Sequence, residues 1–502
     1  MFEKLKKEIL GHKVVYVLLF AALVMGLFIR IYRTGAILGF YFDQGRDALK
    51  IWDFWHKGDI MLIGPTTGIA GILRGPFYYY LIAPFYLLGG GDPVAPAVFL
   101  AVLSIAAVVV LYYLGAKYFN RTVGLFAAIV ASGSFYIMLA SRWLSNPTPM
   151  LLLSVLLLWC MFAIHDGKKW LWVVVAFIAG SSLFHFGSAG EVYYFLSLLI
   201  FFIWQMKRKN LPGVKIILVS IGAFVFTALP QVIFDIKSGG LLRASIAKFL
   251  IGEKSFKISF WEVMGQRFKF YYDVFASKIF HWIRPRELAL LAVVGGSFLI
   301  FFRKLWKSDY FKITFLLFAS PIVGLFFFQG NFGNIYDYYL TGYYLIFVLL
   351  FAIVLVEIWK LKWLGKAFVA FFFWVFITWN GMVDRYKIIA GFDGPGTVVL
   401  GNQKQAIDWI YEDAAGRPFN TDVYVPPVIP HAYDYLFLWL GTTKYGYVPQ
   451  GSEGDLLYTL YEDDPPHPER LAEWLARQAG IGQVEQETSF GGITVQRRAR
   501  IK

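Results

Sequence analysis

Apolar runs of membrane-crossing length recur from residue 14 to residue 383 with only short polar connections between them, and no water-soluble core could bury them all. With 58% hydrophobic and 16% charged residues, the chain reads as a polytopic membrane protein. The runs lie near residues 14–32, 94–116, 122–140, 148–164, 170–185, 190–205, 214–233, 287–302, 312–328, 336–356 and 366–383. That is about eleven spans, several shorter than the ~20 residues a relaxed crossing needs. The start, Met1-Phe2-Glu3-Lys4-Leu5-Lys6-Lys7, is basic, and no small-residue cleavage site follows the first run, so an uncleaved first span is expected.

Basic residues in short connections orient such a chain, because they are retained on the cytoplasmic side. The amino terminus, Lys117 with Arg121, Lys168 with Lys169, Lys207-Arg208-Lys209, Arg303-Lys304 with Lys307, and Lys360 with Lys362 fall in alternate connections. All are predicted to be cytoplasmic. A first loop at 33–93, a long loop at 234–286, and the connections near 141–147, 186–189 and 329–335 then lie outside, in the plasma membrane of a cell. Composition turns globular after residue 383, which divides the chain into a membrane part, 1–383, and an extracytoplasmic part, 384–502. The membrane part holds 36 basic and 17 acidic residues, a balance of +19, and the remaining 11 basic and 16 acidic residues leave the tail at −5. That split favours membrane lipids and phosphates as partners of the membrane part. Nucleic acid does not fit, because the basic groups are dispersed between spans. The single cysteine, Cys160, excludes an intrachain disulfide.

Where the first run should meet water stands Gly39-Phe40-Tyr41-Phe42-Asp43-Gln44-Gly45-Arg46-Asp47. Ionisable groups are costly beside a bilayer, so this cluster marks a reaction centre, with a plain solvated loop as the alternative. Arg46 to Lys57 then reads as a surface helix, with Ala48, Ile51, Trp52 and Trp55 on one face at headgroup depth. Phe77 to Leu88 is too short to span and reads as re-entrant or interfacial. In the long loop, residues 258–279 have helical spacing, and Arg243, Lys248, Lys254, Lys257, Arg267, Lys269 and Lys278 outnumber Glu253, Glu262 and Asp273. This excess suits a lid over a lipid phosphate, or a solvated interfacial face. His185 and Glu191 bracket the turn Phe186 to Gly190 and are candidates for a divalent metal or a sugar hydroxyl, although sequence places no third ligand. In the tail, Asn402–Asp413 and Pro468–Ala479 read as helices, Thr421–Val425 as a strand, and Gln483–Thr488 with Ile493–Arg497 as a hairpin. Glu462-Asp463-Asp464 reads as a solvated loop.

Asp43-Gln44-Gly45-Arg46-Asp47-Ala48, Lys57-Gly58-Asp59, Gly64-Pro65 and Gly75-Pro76-Phe77-Tyr78-Tyr79-Tyr80 together resemble the first outer loop of family 39 glycosyltransferases. These are the dolichyl-phosphate-mannose protein mannosyltransferases and the related lipid A aminoarabinose transferases, of the membrane-embedded GT-C class. The resemblance implies a mostly α transmembrane bundle of GT-C type with a small α/β extracytoplasmic domain. It further implies inverting transfer of a sugar from a polyprenyl phosphate carrier to a hydroxyl of a protein, glycan or lipid on the outer face. The catalytic candidate that it carries over is Asp43. Many relatives have Asp-Glu where this chain has Asp43-Gln44, and an acidic residue near Asn146, so a carboxylate-rich metal site is weakened here.

The chemistry agrees with the residue types. The acceptor hydroxyl must lose a proton as it attacks the anomeric carbon, and a carboxylate such as Asp43 takes it. The departing lipid phosphate needs cations or donors already in place, for which Arg46, Arg74, Lys248, Tyr338 and Tyr339 are candidates. Gln44, Asp47 and Asn146 are substrate-binding candidates, with Asp47 alternatively pairing with Arg46 or Lys50 to hold the helix. The rival reading is a transporter or flippase of lipid-linked sugars, but the sequence has no internal duplication of the kind many transporters show.

Overall fold

A computed structural model describes residues 2–69, 71–249, 260–328, 333–394, 396–426, 429–451 and 456–501, and all of the apolar runs are helical in it. Among the described residues, 8 helices are long and apolar enough to cross a membrane. A ninth candidate is the pair Arg121–Gly133 and Phe135–Arg142, bent by 64°. The two runs left over are Met150–His165, of 16 residues, and Tyr194–Lys207, of 14, both below the ~20 of a relaxed crossing. By length and composition alone, eight or nine of these helices qualify as crossings. The bend has a local cause. Ser134 is extended between the two helices, its side chain caps Ile137 N at 3.4 Å, and Asn380 Oδ1 accepts from Phe135 N at 3.1 Å, so the freed backbone is satisfied without water.

Within Asp337–Trp359, 94% of the residues of an apolar 18-residue window are buried inside the protein, which makes this the most enclosed of the eight long apolar helices. Lipid tails are as apolar as the side chains, so close backbone approach rather than water exclusion holds such helices together. Gly115 and Gly124 illustrate this: a Cβ on Gly115 would lie 2.6 Å from Gly124 Cα. The connections assigned to the inner side meet at one end. Arg121 pairs with Glu8 at 2.6 Å, Arg208 with Asp309 at 3.0 Å and Lys360 with Glu357 at 2.6 Å, while the Tyr310 hydroxyl donates to Asp166 at 2.7 Å. The connections assigned to the outer side gather at the other end.

The tail carries a four-stranded sheet, β1 (Asn420–Tyr424), β2 (Leu456–Glu462), β3 (Gly482–Phe490) and β4 (Ile493–Arg500), in the order β1-β2-β4-β3. β1 and β2 are parallel, and the other pairs are antiparallel. The helices Leu400–Ala414 and Pro468–Ile481, β1 and the terminal hairpin answer to the sequence reading; β2 and the helix His431–Leu440 are additions to it. The acidic run differs from its reading as a solvated loop. The Tyr433 hydroxyl donates to Glu462 at 2.7 Å, burial raises the Glu462 carboxyl to about 7, and Asp464 is buried against the Tyr424 hydroxyl at 2.7 Å.

This domain is fastened to the first long loop, residues 33–93. Leu400 N donates to Leu38 O at 2.9 Å, Gln403 Nε2 to Phe40 O at 2.8 Å, and Trp439 Nε1 to Gly90 O at 2.8 Å. The helix His431–Leu440 packs along the helix Phe42–Lys57. Gly45 makes this possible, since a Cβ there would stand 2.3 Å from the backbone of His431 and Ala432. Ala48 and Ile51, expected at headgroup depth, are instead buried by protein. Phe77–Leu88 is a 12-residue helix, too short to cross, and Ala83 O accepts from Trp55 Nε1 at 3.0 Å. In the long loop Phe260–Ser277 is helical, but two of its cations point inward rather than over a lipid headgroup. Arg267 is buried with Nη2 on Gly333 O at 2.7 Å, and Lys278 is buried with Nζ on Asp337 at 2.8 Å. Glu253, Lys254 and Lys257 lie outside the described residues.

Candidate active site

Asp43 sits in the first turn of the helix Phe42–Lys57, so the reaction-centre stretch is not a loop beyond Tyr41. The turn is closed by Gln44, whose Oε1 accepts from Tyr41 N at 3.1 Å and whose Nε2 donates to Leu144 O at 3.1 Å. Gln44 is buried and spent on that capping geometry. Asp43, by contrast, has its side chain 60% exposed and lines a cavity of about 570 Å³. The same cavity is lined by Arg74, Asn146, Tyr338 and Tyr339. Residues separated by nearly three hundred positions in sequence thus line one cavity at the end of the bundle where the assigned outer connections meet.

One guanidinium organises the carboxylates. Arg46 Nη1 lies 2.8 Å from Asp43 Oδ1 and donates to Thr66 Oγ1 at 2.8 Å. Its Nη2 and Nε donate to Asp47 Oδ1 at 2.7 and 3.0 Å, and the Tyr79 hydroxyl donates to the same oxygen at 2.7 Å. Asp47 is nearly fully buried, and burial raises its carboxyl to about 6 against the pull of Arg46 and Tyr79. Asp47 therefore holds Arg46 from behind, while Asp43 faces the cavity.

Arg74 approaches from the hairpin-like part of the first loop. Gly64 N donates to Arg74 O at 2.7 Å, Arg74 N donates to Pro65 O at 3.1 Å, and a Cβ on Gly64 would lie 2.2 Å from Gly75 O. The two glycines of the loop signature are therefore where one limb of the loop crosses the other. Arg74 Nη1 donates to Gly187 O, and burial lowers its pKa, partly opposed by Glu191 and the tyrosines Tyr338 and Tyr339. Tyr338 stacks against Tyr336 at 5.7 Å and meets Trp143 edge-on at 5.7 Å. Asn146 Nδ2 donates to Phe186 O at 3.1 Å, which leaves its side-chain oxygen to the cavity.

The other candidates are placed elsewhere. Lys248 is exposed and does not line the cavity, although its neighbour Phe249 does. His185 is buried, stacked on Phe77 at 3.7 Å, with Nε2 on Thr227 O at 2.6 Å; a Cβ on Gly75 would strike its ring at 2.2 Å. Glu191 is buried and accepts from Ser188 N at 2.6 Å and Gly342 N at 2.9 Å. Both are occupied by backbone partners. Among the described residues no group of three His, Cys, Asp or Glu is arranged to hold a metal, so these two residues do not fit a metal centre.

Sequence reasoning missed Thr66, Tyr79 and Trp143. Tyr79 lies in the loop signature and could have been paired with Asp47 by its buried hydroxyl. Thr66 and Trp143 carry no signal in one sequence. Trp143 and Tyr338 also line a second, adjoining cavity of about 320 Å³ with Tyr41, Arg142 and Asp337.

Comparison with known families matches residues 73–234 to the family described as dolichyl-phosphate-mannose-protein mannosyltransferase. Comparison with curated protein sequences gives no significant match. Among solved structures, ArnT from Cupriavidus metallidurans bound to undecaprenyl phosphate is 13% identical, covering 96% of this chain and 97% of that one with a TM-score of 0.58. Its apo form is 12% identical, with coverages of 97% and 98% and a TM-score of 0.59. The archaeal oligosaccharyltransferase AglB from Archaeoglobus fulgidus, in complex with an inhibitory peptide and a dolichol-phosphate, is 13% identical, covering 98% of this chain and 75% of that one with a TM-score of 0.51. At such identities structural likeness shows the fold: the chain has the ArnT-like GT-C fold, mostly helical with a small C-terminal sheet domain.

Proposed function

Taking as premise a multi-pass chain of the GT-C, family 39 type, we propose that it transfers a sugar from a polyprenyl phosphate carrier to an acceptor hydroxyl, with inversion, on the outer face of the plasma membrane. The observation that carries this reading is the cavity in which the exposed carboxylate of Asp43 and the guanidinium of Arg74 line one space, at the end where the polar connections meet. Undecaprenyl phosphate in ArnT and dolichol-phosphate in AglB support a lipid phosphate as the donor's carrier.

In the proposed step the acceptor oxygen forms a bond to the anomeric carbon as the bond from that carbon to the phosphate oxygen breaks. The hydroxyl proton passes to Asp43, and the electron pair of the broken bond leaves with the lipid phosphate. Arg46 holds Asp43 in place, and Asp47 with Tyr79 holds Arg46. Arg74, Tyr338 and Tyr339 are the groups suited to the growing phosphate charge, and Asn146 to a sugar hydroxyl. The adjoining cavity, which meets the first at Trp143 and Tyr338, suits a second substrate.

The test is to reconstitute the protein in lipid and offer it sugar labelled on polyprenyl phosphate and, separately, on nucleotides. Label transfer from the lipid carrier supports the reading. Turnover of a nucleotide sugar without a lipid carrier would sink the donor assignment, and lipid movement without bond cleavage would favour a flippase.

A further inference from the structure

Away from that cavity, a groove of about 570 Å³ runs between the helices Lys13–Ile31, Arg121–Gly133 and Lys362–Tyr386. Its walls are apolar, including Leu18, Met25, Phe28, Ile129 and Phe376. From Leu18 to Tyr32 it follows the first span for roughly 20 Å at 1.5 Å per residue, the reach of a fatty acyl chain. At the end nearest the first outer loop, where exposed Tyr32 and Tyr386 mark headgroup depth, the lining changes to Asp384 and Arg385.

These two charges are unusually placed. Asp384 is only 5% exposed, and its Oδ1 has no hydrogen-bond partner among the described residues. The neighbouring cations do not supply one. Arg30 donates to the carbonyls of Gly26, Ala131 and Ser132, and Arg142 to those of Ile29 and Tyr32. Together they more than offset the charge of Asp384, and although Arg30 Nε and Arg142 Nη2 are themselves buried without a partner, neither is within hydrogen-bond reach of Oδ1, a costly condition at the edge of a bilayer. Beside it Arg385 is exposed and has no ion-pair partner among the described residues. A carboxylate short of a donor, next to a free guanidinium and above an acyl-length groove, is the complement of a zwitterionic head that carries N–H groups.

We propose that this groove is a binding site for a phospholipid with a primary-amine headgroup, its ammonium donating to Asp384, its phosphate against Arg385, and one acyl chain along the groove. A quaternary ammonium has the same charge but no N–H to donate, so the site distinguishes ethanolamine-type from choline-type heads.

The test is native mass spectrometry of the full chain equilibrated with dioleoyl phosphatidylethanolamine, phosphatidylcholine and phosphatidylglycerol, which share tails and differ in head. Retention of the ethanolamine lipid about tenfold above the other two is expected, declining stepwise through its mono- and dimethyl forms. Asp384→Asn should erase the preference, and Arg385→Gln should weaken retention of the ethanolamine lipid. Equal retention of the three lipids by the wild-type chain would reduce the site to an apolar groove, and stronger retention of the glycerol lipid would make it an anion site; either overturns the proposal. If Asp384→Asn fails to fold, the methylation series on the wild type and the Arg385→Gln variant decide it. Sugar transfer plays no part in the readout, so its outcome is independent of the proposed activity.

Discussion

Replacing Asp47 by Asn changes one charge and almost no volume at the residue that anchors Arg46. In the wild type, Oδ1 of Asp47 accepts from Arg46 Nε at 3.0 Å, from Arg46 Nη2 at 2.7 Å and from the Tyr79 hydroxyl at 2.7 Å. Hydrogen bonds to a charged group contribute about 1.5–3 kcal/mol net. Loss of about 2 kcal/mol from the anchoring of Arg46, felt in full at Asp43, corresponds to a fall of roughly 30-fold in kcat/KM for sugar transfer. The wild type should approach the variant in acid, because Asp47 takes up a proton as the pH falls through about 6. The amide that replaces the carboxyl does not titrate, so the variant should lack that limb of the profile. Stability should move the other way. Burial raises the carboxyl from 3.8 to about 6, so the folded chain binds this proton more tightly than the unfolded chain. The contribution of Asp47's proton to stability is greatest below 3.8 and declines as the pH rises through about 6, so the wild type should lose melting temperature relative to the variant over that range. The assay is transfer of labelled sugar from a polyprenyl phosphate donor between pH 5 and 8, with melting followed on the same samples. A variant with the wild-type rate at pH 8, or a wild-type rate that is flat across the range, refutes the anchoring role.

Asp43→Asn should lower transfer by a factor on the order of 10²–10⁴, the usual contribution of a general base, without loss of folding, because the side chain is largely exposed; full transfer by this variant removes Asp43 from the mechanism. Arg74→Gln should raise KM for the lipid-linked donor by about tenfold or more, and an unchanged KM with a soluble acceptor held constant would take Arg74 off the phosphate. Gly45→Ala places a methyl group 2.3 Å from the backbone of His431 and Ala432, so it should cost about 1–3 kcal/mol and open the C-terminal domain to limited proteolysis, and an unchanged cleavage pattern would contradict the docking described above. A reporter fused after Lys502 should lie outside and one after Lys209 inside, and a cytoplasmic carboxy terminus would break the alternation of basic connections.

The amino-acid sequence by itself determined that the chain is a membrane bundle, because the cost of exposing so many apolar runs to water leaves no other solution. It also determined which connections share an end, since their charges alternate, and both sets meet as expected. Periodicity and turn residues were enough for the terminal hairpin and the helices on either side of the sheet. The count of crossings was less legible, because the helices Met150–His165 and Tyr194–Lys207 are short for a crossing and the run at 122–140 is bent at Ser134. Only the tertiary structure decided what each polar candidate does. Asp43 and Asp47 are four residues apart and look alike in sequence, but one helix turn sends the first into the cavity and buries the second behind Arg46. His185 and Glu191 look like ligands until the backbone atoms of Thr227, Ser188 and Gly342 are seen to occupy them. The helix behind the reaction centre reads as lipid-facing because its cover, His431–Leu440, lies nearly four hundred residues away. Local pattern reports the periodicity of a face; what covers that face, and whether a charge finds a partner there, depends on contacts between distant segments that only the folded chain brings together.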